Sequence, residues 1–433
     1  MAKKSSAAAA CIVVATLLLQ ACSSRDGATA DAAAKTADAA SKAPDVAEGS
    51  PLETRERNGK DYQPAFAGQT RAPGIRNGLQ PEVQVVTAGL ALPFGVESLP
   101  DGRLLVAEKP GRLRIITADG RVSPPVEGLP TIHYKGQAGL LDVGLDPGFA
   151  TNKIIYFCFA DLRSKDAGGI SLARARLEEE AGKAKLVDVK VIFHQLPDMV
   201  SDRQVGSRIV FGKDGKLYVT MGERGVEGAV GQAQDLHSHF GKVIRINSDG
   251  SVPKDNPFVG RADAYPEIWS YGHRNQQAMD VDPVTGDLWV IEHGPRGGDE
   301  LNLIKRGANY GWPIITYGID YPGNKVGEGI TQKEGMEQPV YYWDPVIAPS
   351  GMIVYHGDMF PEWKGSIFVG GLVGMKVVRL QMKDGKVAAE QWLLQDRHKR
   401  IRDVQQGADG AIYVLTESGE NSELLRLTRK KGG

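Results

Sequence analysis

Short apolar or alternating runs recur along the chain, and each one follows a turn that contains glycine. Four clear copies follow Asp-Gly or Gly-Asp pairs, and two weaker copies follow Pro-Gly and Lys-Gly. The runs cover residues 104–107, 154–157, 217–220, 287–291, 367–369 and 412–414. Runs of this length, rich in β-branched and aromatic residues and bounded by turn residues, predict β-strands.

A second strand follows four of these units and alternates apolar with basic residues. These strands cover residues 111–116, 242–246, 376–380 and 423–427. The alternation predicts half-buried outer strands. Six units at intervals of about 45 to 80 residues predict an all-β fold, a six-bladed β-propeller, whose last strand closes on the first blade. A β-sandwich or two small β domains are the alternatives.

Composition supports this fold class and removes one class of partner. The chain has 433 residues, 41% of them hydrophobic, and 53 glycines. That composition allows a large core and points to many turns rather than long helices. The formal net charge of -1 leaves no basic footprint, so we expect no nucleic-acid partner.

The first residues predict export. Lys3 and Lys4 precede an apolar run over residues 7–19, which ends in a Leu-Gln-Ala-Cys sequence at residues 19–22 that resembles a bacterial lipobox. We therefore expect a signal peptide over residues 1–21, lipidation of Cys22, and a periplasmic protein that meets the membrane only through this anchor. Serine rather than aspartate follows Cys22, which favours the outer membrane. Secretion with cleavage near Ala21 is the alternative.

Residues 22–80 are rich in Ala, Asp, Lys, Ser and Gly. A segment with so few large apolar residues cannot offset its ordering entropy by burial, so it predicts a disordered tether ahead of a propeller over residues 81–430. Cys158 lies within an apolar run, where a buried, inert thiol is expected.

Polar residues cluster in the loops around the strand at 287–291. Arg274 and Asn275 precede it, and the Gly-Pro turn at 294–295 and the acids Asp299 and Glu300 follow it. Arginine suits carboxylates, while carbonyl and carboxylate oxygens suit calcium. The pattern predicts an anionic ligand beside a metal, and a solvated loop with surface ion pairs is the alternative.

Three motifs in this region carry a family resemblance. They read Tyr-Gly-His-Arg-Asn-Gln-Gln, Glu-His-Gly-Pro-Arg-Gly-Gly-Asp-Glu and Asn-Tyr-Gly-Trp-Pro. In this order and spacing they resemble the soluble aldose sugar dehydrogenases, relatives of soluble glucose dehydrogenase that use pyrroloquinoline quinone (PQQ). The resemblance runs from about residue 84 to the end of the chain. It implies oxidation of aldose sugars to lactones with PQQ and calcium; the sugar and the electron acceptor stay open.

The resemblance also implies roles for individual residues. The residues that match PQQ contacts are Gln137, Arg274, Asn275, Arg400 and Arg402, with Tyr321 as a ring-edge contact. Those that match calcium ligands are the carbonyls of Gly294 and Pro295 beside PQQ, and Glu300 and Tyr310 at a second, structural ion.

Two positions depart from the family pattern. Gln204 stands where the family has its general-base histidine, and an amide cannot take a proton near neutral pH. Val373 stands where the family has a lysine that faces the cofactor. Asp202 is a candidate substitute base and Lys376 a candidate substitute cation. The departures motivate a rival function, a non-catalytic periplasmic propeller that binds a carbohydrate or a protein. A lactonase on a similar propeller is a third candidate.

Overall fold

The computed structural model describes residues 49–430, which form six antiparallel sheets arranged as blades. The strands are numbered in chain order, and the first is β1 (Glu82–Leu90); blade one contains β2 (Pro93–Ser98), β3 (Leu104–Glu108) and β4 (Arg112–Ile116), and blade two contains β5 (Leu140–Leu145), β6 (Ile154–Leu162), β7 (Gly168–Glu180) and β8 (Lys183–His194). Blade three contains β9 (Gly206–Phe211), β10 (Leu217–Met221), β11 (Lys242–Ile246) and β12 (Ile268–Tyr271), and blade four contains β13 (Gln276–Val281), β14 (Leu288–Glu292), β15 (Asp299–Leu303) and β16 (Tyr341–Trp343). Blade five contains β17 (Pro349–Val354), β18 (Ile367–Gly371), β19 (Lys376–Lys383) and β20 (Lys386–Leu393), and blade six contains β21 (Arg400–Gln406), β22 (Ile412–Glu417) and β23 (Ser422–Thr428). The helical elements are α1 (Phe149–Asn152) and the 3-10 turns Val230–Ala233, Pro361–Trp363, Gln395–Arg397 and Gly419–Asn421.

The first strand of each blade, from β2 to β21, packs against the first strands of both neighbouring blades, so the blades close into a ring. This confirms the predicted six-bladed β-propeller. The six turn-led runs in the sequence are β3, β6, β10, β14, β18 and β22, the second strand of every blade. Their apolar character follows from this position, because second strands are covered on both faces by the adjacent blades.

Two details of the strand predictions are wrong. The alternating strands β11, β19 and β23 are the third strands of four-stranded blades, not outer strands, and β11 is buried along its whole length. The strand that closes the ring is also the first strand, β1, and not the last strand, as predicted. β1 is the strand that pairs antiparallel with β23 and forms the outer edge of blade six.

Buried aspartates on the inner strands join successive blades. Each accepts a backbone N–H from the inner strand of the next blade. The bonds run from Ile209 to Asp142, from Val354 to Asp280 and from Val96 to Asp403, at 2.9, 2.7 and 2.9 Å. They connect blade two to three, four to five and six to one. Burial raises the pKa of Asp280 to about 7.

The prediction of a disordered tether over residues 22–80 is wrong for residues 49–80, which we call the strap. The strap runs along the outer edges of blades four and five, where the N–H of Tyr342 donates to Gln69 and the N–H of Ile75 donates to Glu390. Tyr62 and Ile75 are buried. Unpaired backbone groups at two sheet edges, rather than a run of apolar side chains, hold this segment.

Asp344 at the end of blade four clamps the strap. Its carboxylate accepts hydrogen bonds from the N–H and Nδ2 of Asn58, at 2.9 and 2.8 Å, and from the N–H of Gly59 at 2.8 Å. Arg71 of the strap donates to the Asp344 carbonyl at 3.0 Å.

The predicted signal peptide, the lipidation of Cys22 and the tether over residues 22–48 lie outside the described residues. Within residues 49–430, no helix has the length and apolar character needed to cross a membrane.

We predict that Asp344→Ala detaches the strap. Its loss leaves three donors near or in the protein interior without their acceptor, which should lower the free energy of unfolding by about 2–4 kcal/mol. Urea unfolding gives the energy, and limited proteolysis reports cleavage within residues 49–80. Asp61→Ala, on an exposed strap position, is the control. Equal protease resistance of the two variants would contradict the clamp.

Candidate active site

The loop before β13 and the loop after β14 contact each other at one end of blade four. Arg274 lies just before β13, and its Nη1 donates to the carbonyl of Gly294 at 2.8 Å and to that of His293 at 3.2 Å. Asn275 is next to it and is 2% exposed. The expected meeting of Arg274, Asn275 and the 294–295 turn is therefore present.

Asp299 fixes the position of that turn. Its carboxylate accepts the N–H of Gly294 at 2.9 Å and the N–H groups of Ile347 and Ala348 at 2.8 Å each. Burial raises the pKa of Asp299 to about 7. The turn and the segment entering blade five are thus held by one buried carboxyl group.

Arg400 and Arg402 begin the inner strand of blade six, and both bind the same carboxylate. The Nε atoms of Arg400 and Arg402 donate to the two oxygens of Glu417 at 3.1 and 2.7 Å. Burial alone would raise the pKa of Glu417, but the charges of Arg402, Lys109 and Arg400 hold it below its ordinary value. Two residues apart on one strand, the guanidiniums face the same side, as expected.

Blades four and six meet through a short chain of amides. Arg402 Nη1 lies 3.3 Å from Gln277 Oε1, and Gln277 Nε2 lies 3.1 Å from Asn275 Oδ1. His293 sits among these groups. Burial, together with the charges of Arg274, Arg402 and Arg400, lowers its pKa to about 3. The arginines that are distant in sequence therefore converge over the propeller axis.

Two adjoining cavities open above this network. The inner cavity, of about 230 Å³, is lined by Asn275, His293, Val373, Arg400 and Arg402, among others. The outer cavity, of about 690 Å³, is lined by Gln204, Glu223, Arg274, Pro295, Trp312 and Tyr321, among others.

Gln137 lines both cavities. Its Oε1 accepts the N–H of Gln204 at 2.7 Å. Tyr321 is 70% exposed and forms part of the rim of the outer cavity. The predicted cofactor-contacting residues therefore all line one or the other of two neighbouring cavities.

Gln204 is held between a carboxylate and a cation. In the amide orientation that satisfies both neighbours, its Nε2 donates to Glu223 and its Oε1 accepts from Arg274 Nη2 at 3.3 Å. Burial raises the pKa of Glu223. Asp202, considered as a substitute base, lines a separate cavity with Arg224, on the other side of Arg203.

Lys376 does not replace the missing lysine at position 373. Its Nζ lies 3.0 Å from the centroid of the Trp392 ring, in the outer part of blade five. Burial lowers its pKa to about 8, while Glu390 and Glu53 oppose that shift. Val373 itself lines the inner cavity and carries no charge.

Lys109 is a cation that sequence reasoning missed. It lines the inner cavity together with Arg400 and Arg402, and it comes from the turn after β3 in blade one. Its Glu-Lys-Pro-Gly surroundings resemble an ordinary surface turn. Only the adjacency of blades one and six in the ring shows that Lys109 lies in the same cavity as Arg400 and Arg402.

Two glutamates stand opposite each other in blade four. Glu292 of β14 pairs with Glu300 of β15, and like charges directly opposite are unfavourable. Burial raises the pKa of Glu300 well above its ordinary value, and the charge of Glu292 adds to this. Nearby Asn302 donates to both carboxylates, at 3.0 and 3.2 Å, while its Oδ1 is buried and has no donor among the described residues.

Tyr310 is linked to this pair of glutamates through His273. Its hydroxyl donates to the Leu303 carbonyl at 2.6 Å and accepts the N–H of Lys305 at 2.9 Å. Its ring stacks on His273, whose Nδ1 is 2.9 Å from Glu292. Within residues 49–430, no group of three or more His, Cys, Asp or Glu side chains is placed to hold a metal. Any cation here would depend on amide and main-chain oxygens as well.

Comparison with known proteins identifies the family. The glucose/sorbosone dehydrogenase model matches residues 90–426. The aldose sugar dehydrogenase YliI of Escherichia coli (strain K12) is 38% identical over 348 residues, which cover 80% of this chain and 92% of that protein. The chain therefore belongs to the glucose/sorbosone dehydrogenase family, and the resemblance seen in its motifs is confirmed.

Solved structures agree with this assignment. The apo form of the soluble aldose sugar dehydrogenase from Escherichia coli superposes with a TM-score of 0.76 at 38% identity, covering 81% of this chain and 99% of that one. The PQQ-bound aldose sugar dehydrogenase from Streptomyces coelicolor gives a TM-score of 0.65 at 29% identity, covering 80% and 98%.

Proposed function

We propose that this chain is a PQQ-dependent dehydrogenase that oxidises aldose sugars to lactones in the bacterial cell envelope. One observation carries the proposal: Arg274, Arg400 and Arg402 come from blades four and six and line two neighbouring cavities over the propeller axis. We further propose export through residues 1–21 and anchoring through a lipid on Cys22, which would leave the propeller in the periplasm.

The donor set of the inner cavity suits PQQ, a flat quinone with three carboxylates. Guanidiniums bind carboxylates in a fork geometry, and the amides of Gln137 and Asn275 can bond ring oxygens and nitrogens. The Nε of Arg274 is buried without an acceptor among the described residues, so a donor is available there. When bound, PQQ supplies the acceptor for the two electrons that leave the sugar.

The outer cavity is the proposed place for the sugar. Its walls carry the amide of Gln204, the guanidinium of Arg274 and the phenol of Tyr321, which can bond sugar hydroxyls. Oxidation of the anomeric C–OH to a lactone also releases the hydroxyl proton. Gln204 can orient that hydroxyl but cannot accept its proton, so the chain should bind the sugar better than it turns it over.

Calcium is proposed at two places. Pro295 lines the outer cavity and Gly294 precedes it, so the carbonyls of this turn would hold one ion. The Gly294 carbonyl accepts one bond from Arg274 and keeps a second lone pair. The second place is the Glu300 region, where Tyr310 packs alongside. Facing carboxylates and an amide oxygen that lacks a donor are the surroundings expected for a hard cation.

Reconstitution tests the function directly. We predict that purified protein retains PQQ after incubation with calcium chloride and gel filtration, seen as quinone absorbance, and reduces a dye slowly with aldoses. Arg402→Gln should lose the absorbance, whereas Arg426→Gln, on the outer side of blade six, should keep it. Quinone absorbance without dye reduction by any aldose would support the non-catalytic rival. Metal-dependent lactone hydrolysis without PQQ would support the lactonase, and absence of bound quinone would sink the proposal.

We predict that Gln204→His raises kcat with aldoses by about 10²–10⁴-fold, because it supplies a base where the amide now stands. The pH profile of kcat should gain a limb from the new imidazole. Gln204→Leu, of similar size and without a base, is the matched control. A histidine variant no faster than the leucine variant would show that the missing base does not limit the rate.

Calcium binding at Glu300 should be visible in stability. At about 100 times its Kd, calcium should raise the free energy of unfolding by about 2.7 kcal/mol. Because the pKa of Glu300 is raised in the folded chain, stability without calcium should fall as pH rises from the ordinary carboxyl pKa towards the raised one. Calcium should reduce that loss.

Thermal unfolding with calcium or with EDTA, between pH 5 and 8, makes this measurement. Glu300→Gln should lose the calcium response and be at least as stable as the parent in EDTA, since it removes the repulsion by Glu292. Glu337→Gln, which affects an ion pair with Lys305, is the control. A full calcium response in Glu300→Gln would place the ion elsewhere.

A further inference from the structure

The backbone of Lys109 is fixed by two hydrogen bonds, one from its N–H and one to its carbonyl. Its N–H donates to the Leu92 carbonyl at 3.0 Å, and its carbonyl accepts the N–H of Leu140 at 3.0 Å. These bonds tie the turn after β3 to the starts of blades one and two. The side chain is 8% exposed and lines the inner cavity, so its location there is set by the ring itself.

Among the described residues 49–430, the ammonium group of Lys109 is in no salt bridge, and the only carboxylate that attracts it is that of Glu417. Glu417 is the one carboxylate among the lining residues of the inner cavity, and both its oxygens already accept bonds from Arg400 and Arg402. Burial lowers the pKa of Lys109, the charges of Arg402 and Arg400 act in the same direction, and the charge of Glu417 opposes them.

The inner cavity therefore carries three cations against one anion. A mostly buried cation beside two like charges is costly, and such groups are found most often where a ligand completes them. Arg400 and Arg402 come from blade six and Lys109 from blade one, which are adjacent in the ring. The excess positive charge is thus concentrated on one side of the cavity, away from the 294–295 turn of blade four.

We propose that Lys109 is the third cation of the inner cavity and binds a carboxylate of a planar, multiply anionic guest, so that the guest's acidic end faces blades six and one. For PQQ as the guest, this assignment rests on the proposed function. It explains how the chain tolerates Val373, because the cation missing from blade five is supplied from blade one.

The test is PQQ binding rather than turnover. Quenching of tryptophan fluorescence in the full-length protein, titrated with PQQ in calcium buffer, gives Kd. Lys109→Met should weaken binding about 10- to 100-fold, the usual effect of losing one charge-assisted bond. Lys109→Arg should recover most of the affinity. Lys376→Met removes a buried lysine that does not line the cavity, and it should leave Kd within about threefold.

The melting temperature of the variants without PQQ separates loss of a contact from loss of structure. Without PQQ, Lys109→Met should melt at or above the parent temperature, because it removes a mostly buried charge that Arg402 and Arg400 repel. The affinity loss should also shrink as salt is raised, since screening weakens the contact that the variant lacks. Lower stability of Lys109→Met without PQQ would assign Lys109 a structural role and overturn the proposal.

The outcomes distinguish the two proposals. If the parent protein binds PQQ and Lys109→Met binds it equally well, the Lys109 assignment is wrong and the proposed function stands. If the parent protein binds no PQQ, both are wrong. If Lys376→Met weakens binding as much as Lys109→Met does, the third cation is not Lys109 specifically.

Discussion

The site depends on one buried ion cluster at the floor of the ring. Arg208 of β9 donates to Asp142 and Asp403 at 3.0 and 3.1 Å, and its Nε donates to the Gln277 carbonyl at 2.6 Å. Its guanidinium also lies 5.0 Å from the Phe94 ring centroid. One arginine of blade three therefore contacts blades one, two, four and six. A partnerless charge at this depth would be very costly, so the cluster forms only when all these blades are assembled.

The same cluster sets the floor of the inner cavity. Phe94 and Gln277 line that cavity, and Arg402 stacks on Phe94 at 5.3 Å while it contacts Gln277. The aspartates of the cluster are in turn held by backbone N–H groups of adjacent blades. The arginines of the inner cavity are therefore positioned by the interactions that close the ring, and altering the floor should change both.

The features that could be predicted from the sequence have short-range signals, whereas the others depend on contacts between segments that are far apart in the chain. Strands led by Asp-Gly turns were recognisable because their signal is local, and the loops around β14 were recognisable because their residues are contiguous. The order of strands at the ring closure, the strap and Lys109 depend on contacts between distant segments. Lys376 shows the converse: it is near Val373 in sequence, yet its strand directs it to Trp392. Gln204 was correctly located, but its contacts with Glu223 and Arg274 needed coordinates.

The position of the strap determines how the protein bears tension. Strap residues such as Asn58 and Ile75 precede β1 in the chain and bond to the outer edges of blades four and five. A force applied upstream of residue 49 would load those bonds before it reached the β1–β23 pairing that closes the ring. Such a force would first peel off a peripheral segment, and the cavities over the ring would keep their shape until that segment had come away.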